Sequence, residues 1–403
     1  MGPLFHVLLA ILVIVAMARA LGALFARLGQ PPVIGEMIAG LLLGPSFLGR
    51  VAPVAAAFVL PKEVTPSLGV LAQIGVVLFM FLVGLELDTS ELQKHRRASV
   101  MISSFSVLIP FALGIGLALL LYPRFAGPTV PRLAFVLFLG AAMSVTAFPV
   151  LARIVKDSGL STQPIGVLAL ACAAVDDVNA WCLLAFATSA ADGSVGAAVA
   201  TVALTAALVG TTLLVGRPLL VKATTLLDQS NAPIGRSAVG YALCALLLMA
   251  MIAEGIGIHA VFGAFLAGLV VPHDSKLAVA LREKLEDVVM IVFLPPFFAF
   301  SGMRTQLGLV TGLEAWLWTL AIILVASVGK VGGTVTAARV TGYSWKDSTS
   351  LGLLMNTRGA VGLVVLNIGL DLKIISPTVF AMMVLMAVTT TFATPPLLKW
   401  VRG

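Results

Sequence analysis

Charged residues are scarce in this chain of 403 residues, because Asp, Glu, Lys and Arg together make up only 11% of it. Soluble domains carry about 25% charged residues, and a chain that is 60% hydrophobic has too little polar surface to be one. The three cysteines lie singly inside apolar runs and form no CxxC pair, which excludes a disulfide framework. The net charge of +7 comes from short loops without a contiguous basic stripe, so we expect no nucleic-acid partner.

Apolar runs long enough to cross a bilayer, about 20 residues each, recur from one end of the chain to the other. The period-two alternation that is typical of membrane β-barrels does not occur. We therefore predict an all-α polytopic membrane protein with about thirteen transmembrane helices. The predicted spans are residues 4–27, 33–49, 66–87, 98–122, 131–154, 163–191, 195–221, 236–255, 257–272, 286–303, 313–338, 347–369 and 375–399.

Breaks between spans are expected where Pro, Gly and charge cluster, for example at 29–32 and at the charged stretch 273–287. In the second span, Gly40 and Gly44 form a GxxxG pattern, which is typical of close helix packing. Basic residues outside the spans are concentrated in the loops that follow odd-numbered spans. By the positive-inside rule, this predicts an outside N-terminus and a cytoplasmic C-terminus in the cell inner (plasma) membrane.

The predicted spans divide into about six, one and six, so that a single linking helix inverts the second set relative to the first. This arrangement, two inverted six-helix repeats, is common in secondary transporters. The predicted segments are a first repeat at 1–191, a linking helix at 192–235 and a second repeat at 236–403.

Two spans that correspond under this pairing, 131–154 and 347–369, look broken. The first has Ser144, Thr146 and Pro149 in its middle, and the second has Asn356, Thr357, Arg358 and Gly359. Interruptions at matched positions of two repeats indicate a transport site. Ordinary kinks are the alternative, since Pro and Gly are common in membrane helices.

Two adjacent acids, Asp176 and Asp177, lie near the middle of the apolar span 163–191. An ionised side chain at that depth costs at least a few kcal/mol and indicates function. Neighbouring helical residues point about 100° apart, so the two acids have different surroundings. Lys330, the one lysine deep in a predicted span, is the expected ion-pair partner of one acid. A carboxylate left over in a water-filled cavity holds either a proton or a small cation, which couples the two fluxes. The alternative is a static buried salt-bridge cluster.

Across nearly its whole length the chain resembles the monovalent cation:proton antiporter-2 family, which includes bacterial Na⁺/H⁺ antiporters, potassium-efflux systems and plant cation/proton exchangers. The matching stretches are "GQPPVIGEMIAGLLLGPSFLG" (29–49), "LFMFLVGLELD" (78–88), "MSVTAFPVLARI" (143–154), "AAVDDVNAWCLLA" (173–185), "GIHAVFGAFLAGLVVP" (257–272), "FLPPFFAFSGMR" (293–304) and "LMNTRGAVGLVVLNIGL" (354–370).

The resemblance implies an Na⁺/H⁺ antiporter-like fold, in which the two broken helices cross near mid-membrane, and a homodimer. It implies a mobile core domain at about 98–191 plus 313–403, and a dimer domain at about 1–90 plus 195–303. It also assigns the binding of cation or proton to Asp177 and the pairing with Lys330 to Asp176. Ser144 and Thr146 become expected cation ligands. The further polar residues expected around the cavity and the broken helices are Asn179, Asn356, Thr357 and Arg358.

We therefore predict a secondary active transporter, not an enzyme, that exchanges Na⁺ or K⁺ for H⁺ by alternating access and uses no cofactor. The acid pair resembles electrogenic sodium antiporters, whereas the motifs at the two breaks resemble plant exchangers, so the cation stays open. Exchange of two protons per cation would require Asp176 to titrate as well. The alternatives are a cation channel and an Na⁺-coupled symporter of an organic solute on the same fold.

Overall fold

The structure, a computed structural model, describes residues 2–86, 96–127, 130–161, 163–189, 195–229 and 234–403. Every regular element in these ranges is a helix. The predicted repeat boundary at 191/192 and the predicted span ends at 87 and 191 lie outside the described residues.

Nineteen α-helices follow one another along the described chain. They are α1 (Pro3–Arg27), α2 (Pro32–Leu43), α3 (Leu48–Val51), α4 (Pro53–Val59), α5 (Thr65–Glu86), α6 (Arg96–Phe125), α7 (Arg132–Ser144), α8 (Phe148–Asp157), α9 (Pro164–Ser189), α10 (Val195–Thr211), α11 (Arg217–Gln229), α12 (Arg236–Ile256), α13 (Ala260–Leu269), α14 (Lys276–Val288), α15 (Leu294–Arg304), α16 (Gly312–Val340), α17 (Trp345–Met355), α18 (Gly359–Asp371) and α19 (Pro377–Arg402). Short π-helical segments, Thr212–Gly216 and Val289–Phe293, join α10 to α11 and α14 to α15.

Ten of the helical stretches within the described residues are long and apolar enough to cross a membrane. Three shorter apolar stretches, Arg132–Ser144, Ala260–Leu269 and Val361–Asp371, accompany them. The predicted all-helical, multi-pass membrane protein is therefore confirmed. The count of about thirteen spans stays a prediction.

The charged stretch at 273–287 differs from the expected break, because most of it is helical. Ser275 caps α14 by accepting a hydrogen bond from the backbone N–H of Ala278 at 3.2 Å. Leu277 and Leu281, four residues apart, are buried on one face of α14. The charged residues of α14 lie on its other faces, so charge density alone marked an amphipathic helix as a loop.

The described chain divides into two compact units. The first unit comprises residues 1–62, 89–193 and 298–403, and the second comprises 63–88 and 194–297. Within the second unit α5 packs against α13, and the Lys276 Nζ donates to the Asp228 carbonyl at 2.8 Å, which ties α14 to α11. The domain and repeat boundaries drawn from the sequence stay predictions.

Within the first unit, α2 and the end of α15 touch backbone to backbone. A Cβ atom on Gly40 would lie 2.1 Å from the Phe298 carbonyl oxygen, and one on Gly44 would lie 2.3 Å from that of Gly302. No real Cβ atom tolerates such distances, so only glycine fits at this contact. The GxxxG pattern thus marks a close helix crossing.

Candidate functional site

The first break separates α7 from α8. Residues 145–147 are extended, with φ −60° and ψ 138° at Val145 and φ −94° and ψ 91° at Ala147. Proline near the start of α8 suits the first helical turn, where its missing N–H is not needed. The carbonyl groups at the end of α7 lose their intrahelical partners here and must be satisfied by other groups.

The second break separates α17 from α18. Gly359 begins α18 with φ 40°, and a Cβ atom on it would lie 2.5 Å from Cγ2 of Val150. Thr391, on α19, caps the start of α18, because its Oγ1 accepts from the backbone N–H of Arg358 at 3.2 Å and of Gly359 at 3.0 Å. This hydroxyl ties α19 to the break.

The two breaks meet in the first unit. The backbone N–H of Ala147 donates to the Thr357 carbonyl at 2.7 Å, and the Thr146 hydroxyl oxygen lies 3.1 Å from the Met355 carbonyl oxygen. A backbone N–H group of the first break is thus satisfied by a backbone carbonyl of the second. Such irregular backbone is tolerated at membrane depth only where protein or water satisfies it.

Arg358 lies at this crossing and is 1% exposed. Its guanidinium donates to the carbonyls of Met143 and Val145, the latter at 3.2 Å, and to that of Ala326 at 3.1 Å. A cation at the C-terminal end of α7 is favoured by the helix dipole and satisfies the orphaned carbonyls there. Arg358 therefore holds the first break to α16.

Lys330, on α16, forms a fully buried ion pair with Asp176 on α9. Its Nζ lies 2.7 Å from Asp176 Oδ2 and also donates to the Ser144 carbonyl at 2.6 Å. The glycines beside Lys330 let α6 approach α16, since a Cβ atom on Gly329 would lie 2.9 Å from Cα of Pro110. Gly333 is as crowded, with the Phe105 carbonyl oxygen 2.7 Å from a Cβ atom there.

Three hydroxyl groups also donate to Asp176. The Ser103 hydroxyl donates to Oδ1 at 2.5 Å, and those of Ser106 and Thr146 donate to Oδ2 at 2.9 Å each. With Lys330, four donors from three different chain segments surround this one carboxylate. Charge-assisted hydrogen bonds of this kind are about twice as strong as neutral ones.

Asp177 has the opposite surroundings. It is 0% exposed, and neither carboxylate oxygen has a hydrogen-bond partner among the described residues. The sequence places this side chain at a water-filled cavity, whereas the structure closes it off from solvent. A buried carboxylate without donors is costly unless it is neutralised by a proton or a cation. Within the described residues, Asp177 is thus the member of the acid pair that lacks a hydrogen-bond partner.

The remaining polar residues predicted from the sequence are less engaged. The Ser144 hydroxyl donates to the Ala141 carbonyl of its own helix at 2.8 Å. Asn356 donates to the Ser327 hydroxyl at 3.4 Å, while its Oδ1 and the Thr357 hydroxyl have no partner in the described part of the chain. Asn179 is half-buried. Thr357 and Asn356 thus keep free oxygen atoms at the crossing, and Ser144 contributes through its carbonyl.

Sequence reasoning missed three residues of this site, Ser103, Ser106 and Thr391. Serine and threonine in a membrane helix usually bond to their own backbone, as Ser104 does to the Val100 carbonyl. The available signal was the spacing of Ser103 and Ser106, three residues apart on one face of an apolar span.

A cavity of about 910 Å³ lies elsewhere in the first unit, between the end of α1, α8, the start of α9 and the end of α19. Its charged lining residues are Arg153, Asp157, Lys399 and Arg402. None of the site residues predicted from the sequence lines it. The site around Asp177 is therefore separate from this cavity.

Comparison with known proteins gives consistent results. The family model described as "Sodium/hydrogen exchanger, transmembrane" matches residues 9–401. The chain is 41% identical to the Na(+)/H(+) antiporter NhaS4 of Synechocystis sp., over 98% of this chain and 97% of that protein. It is 38% identical to the cation/H(+) antiporter 18 of Arabidopsis thaliana, over 96% of this chain but only 48% of that protein, so it spans about half of the plant relative.

The fold is similar to that of a solved structure. The sodium proton antiporter MjNhaP1 from Methanocaldococcus jannaschii superposes with a TM-score of 0.71, over 99% of this chain and 97% of that chain, at 16% sequence identity. This likeness confirms the predicted antiporter-like fold. The predicted inverted symmetry of the two repeats stays a prediction.

Proposed function

The chain belongs to the sodium/hydrogen exchanger family, a family of transporters and not of enzymes, and from that premise we propose that it exchanges a monovalent cation, Na⁺ or K⁺, for H⁺ across a membrane. The resemblance drawn from the motifs is confirmed by this membership. The exchange needs no cofactor, because both transported ions bind to groups of the chain.

One observation carries the proposal, the isolated Asp177 carboxylate. It is fully buried and has no donor among the described residues, although Asp176 beside it accepts from four. Either a proton or an alkali cation neutralises Asp177, but not both at once. Loading of one ion therefore requires release of the other, which is the condition for exchange.

The second break offers two oxygen atoms as candidate ligands for a bare alkali cation. The oxygen atoms of Asn356 and Thr357 that lack partners in the described residues lie at the crossing of the breaks, and hard cations prefer oxygen ligands. Thr146 and Ser144 are already engaged with Asp176, Ala141 and Lys330. We assign cation binding to Asp177 with the free oxygens at the second break, and ion-pair support to Asp176 and Lys330.

Transport by alternating access requires that the closed site opens to each side in turn. We propose that the residues around the breaks move as a core domain, about 98–191 plus 313–403, against a dimer domain, about 1–90 plus 195–303. A homodimer in the plasma membrane, with the N-terminus outside and the C-terminus cytoplasmic, completes the proposal. The distribution of basic loops supports this orientation.

The proposal is tested in inverted membrane vesicles with a pH-sensitive dye. Addition of Na⁺, Li⁺ or K⁺ to energised vesicles should dequench the dye in the parental protein and fail to do so in D177N. The control is D287N, because Asp287 is an exposed acid of α14 outside the site. Absence of any response between about pH 6 and 9, or a parental response in D177N, contradicts the proposal. Cation flux that survives in D177N without proton movement indicates a channel.

A further inference from the structure

Two neighbouring acids in one antiporter site raise the question of how many protons each cation displaces. If both acids titrate, two protons exchange for each cation and net charge crosses the membrane. If only one acid titrates, one proton exchanges for each cation and no net charge crosses. The surroundings of Asp176 and Asp177 distinguish the two cases, and the reasoning rests on the antiport function proposed above.

Asp176 cannot take up a proton without losing its counter-ion. The hydroxyls of Ser103, Ser106 and Thr146 can rotate and accept a hydrogen bond from a protonated carboxyl group, but the ammonium of Lys330 cannot. Lys330 is 0% exposed, so neutralising Asp176 leaves a buried, uncompensated cation. The three hydroxyl bonds would also lose their charge-assisted strength.

The hydrogen bonds that Lys330 makes favour its charged form. Its Nζ donates to two groups that only accept, the Asp176 carboxylate and the Ser144 carbonyl. Ser144 ends α7, where the helix dipole favours a cation. The other ionisable groups whose charge reaches this pair are Cys172, Asp177 and Arg358. Arg358 is held by carbonyls of Met143, Val145 and Ala326.

Movement of the Asp176 side chain toward a bound cation would also separate it from Lys330. Its four donors come from α6, from the break after α7 and from α16, so a swing of the side chain breaks contacts to three segments at once. Among the described residues, the hydroxyls of Ser103 and Ser106 donate only to Asp176. Both lie on α6, the helix that packs closely against the glycines beside Lys330.

We propose that the Asp176–Lys330 pair stays ionised and in contact throughout the transport cycle, so that one proton on Asp177 exchanges for one cation. In the exchange step, the O–H bond of the Asp177 carboxyl group breaks, its proton leaves to water, and the cation binds the resulting carboxylate. The net charge of the site is the same with either ion bound. Transport is electroneutral, and Ser103 and Ser106 are the positioning residues that make it so.

The test measures, for purified protein in liposomes, the pH difference at which a given cation gradient drives no net transport, which we call the balance point. The membrane potential is held near zero with the permeant anion thiocyanate at equal concentration on both sides. A tenfold cation gradient is then balanced by a pH difference of about one unit if one proton moves per cation, and about half a unit if two move. We expect about one unit for the parental protein.

Each outcome has a separate meaning. A parental balance near half a unit overturns the inference and leaves the antiport function intact. Failure of every cation gradient to move protons contradicts the antiport function itself. The parental measurement needs no substitution, so it decides the stoichiometry even where variants fold poorly.

Variants then test the cause. S103A/S106A removes two of the four donors to Asp176, so that its charged form and its contact with Lys330 are less strongly favoured. The balance should therefore shift from about one pH unit toward about half a unit. S104A is the matched control on the same helix, since Ser104 is half-buried and, among the described residues, its hydroxyl donates only to the Val100 carbonyl. It should keep the parental value. Where the double variant is not stable, S103A and S106A are measured singly. A parental balance and rate in all of them overturns the role of the two serines.

Discussion

Replacement of Lys330 by methionine is the perturbation with the largest expected effect on stability. The substitution keeps most of the side-chain volume and removes the ammonium. Asp176 then keeps three hydroxyl donors but loses its counter-ion, and the Ser144 carbonyl loses the donor that lies at 2.6 Å.

The magnitude follows from these two losses. A hydrogen bond to a charged group contributes about 1.5–3 kcal/mol, and an orphaned buried carbonyl costs about 1–3 kcal/mol. The total of about 2.5–6 kcal/mol brackets the cost of about 3–5 kcal/mol for removing one partner of a buried ion pair. The three remaining hydroxyls place the expected loss in the lower half of that range.

The assay is unfolding of the purified protein in mixed micelles by titration with a denaturing detergent, which yields a free energy of unfolding. R124M is the control, because Arg124 and Glu314 join the same two helices, α6 and α16, at 3.3 Å. Their side chains are 48% and 71% exposed, so this pair should contribute at most about 1 kcal/mol.

A second comparison isolates the charge. D176N/K330M removes both charges and should recover the part of the lost stability that comes from the unpaired buried ion, while the Ser144 carbonyl still lacks its donor. The reasoning is refuted if K330M destabilises the protein no more than R124M does, or if the double variant is less stable than K330M.

Two further predictions concern the second break and use the same unfolding assay. G359A should cost about 1–3 kcal/mol, because alanine is strained at a φ of 40° and its Cβ would lie 2.5 Å from Val150; G210A, with nothing within 4 Å, is the control, and an equal effect of both would contradict the assignment. T391V should cost about 1–2 kcal/mol, because it leaves the N–H groups of Arg358 and Gly359 uncapped. T390V is its control, since the Thr390 hydroxyl donates only to carbonyls of its own helix, and a T391V protein as stable as T390V would show that the cap is dispensable.

Much of the fold was predictable, because long apolar runs of residues identify membrane helices in a sequence. The interruptions of two spans were predictable for the same reason, since Pro149 and the polar run from Asn356 to Arg358 are out of place at that depth. The positions at which helices begin and end were less predictable. Charge in 273–287 indicated a loop, while a capped amphipathic helix, α14, occupies most of it.

The site was predictable only in its charged members. An acid or a lysine inside an apolar span is conspicuous, because an unpaired charge there is costly. Ser103 and Ser106 are inconspicuous, since a serine can satisfy its hydroxyl within its own helix, as Ser104 does. Which serine turns to a neighbouring carboxylate depends on how α6 packs against α9 and α16, and no local pattern contains that information.

The contact between α2 and the end of α15 has a practical consequence for studies of motion. With carbonyl oxygens and glycine Cα atoms face to face at Gly40 and Gly302, the two segments fit in a single register. Neither can slide past the other without steric collision. The distance between two spectroscopic labels across this crossing should therefore stay constant. It would serve as a reference for distance changes measured elsewhere in the first unit.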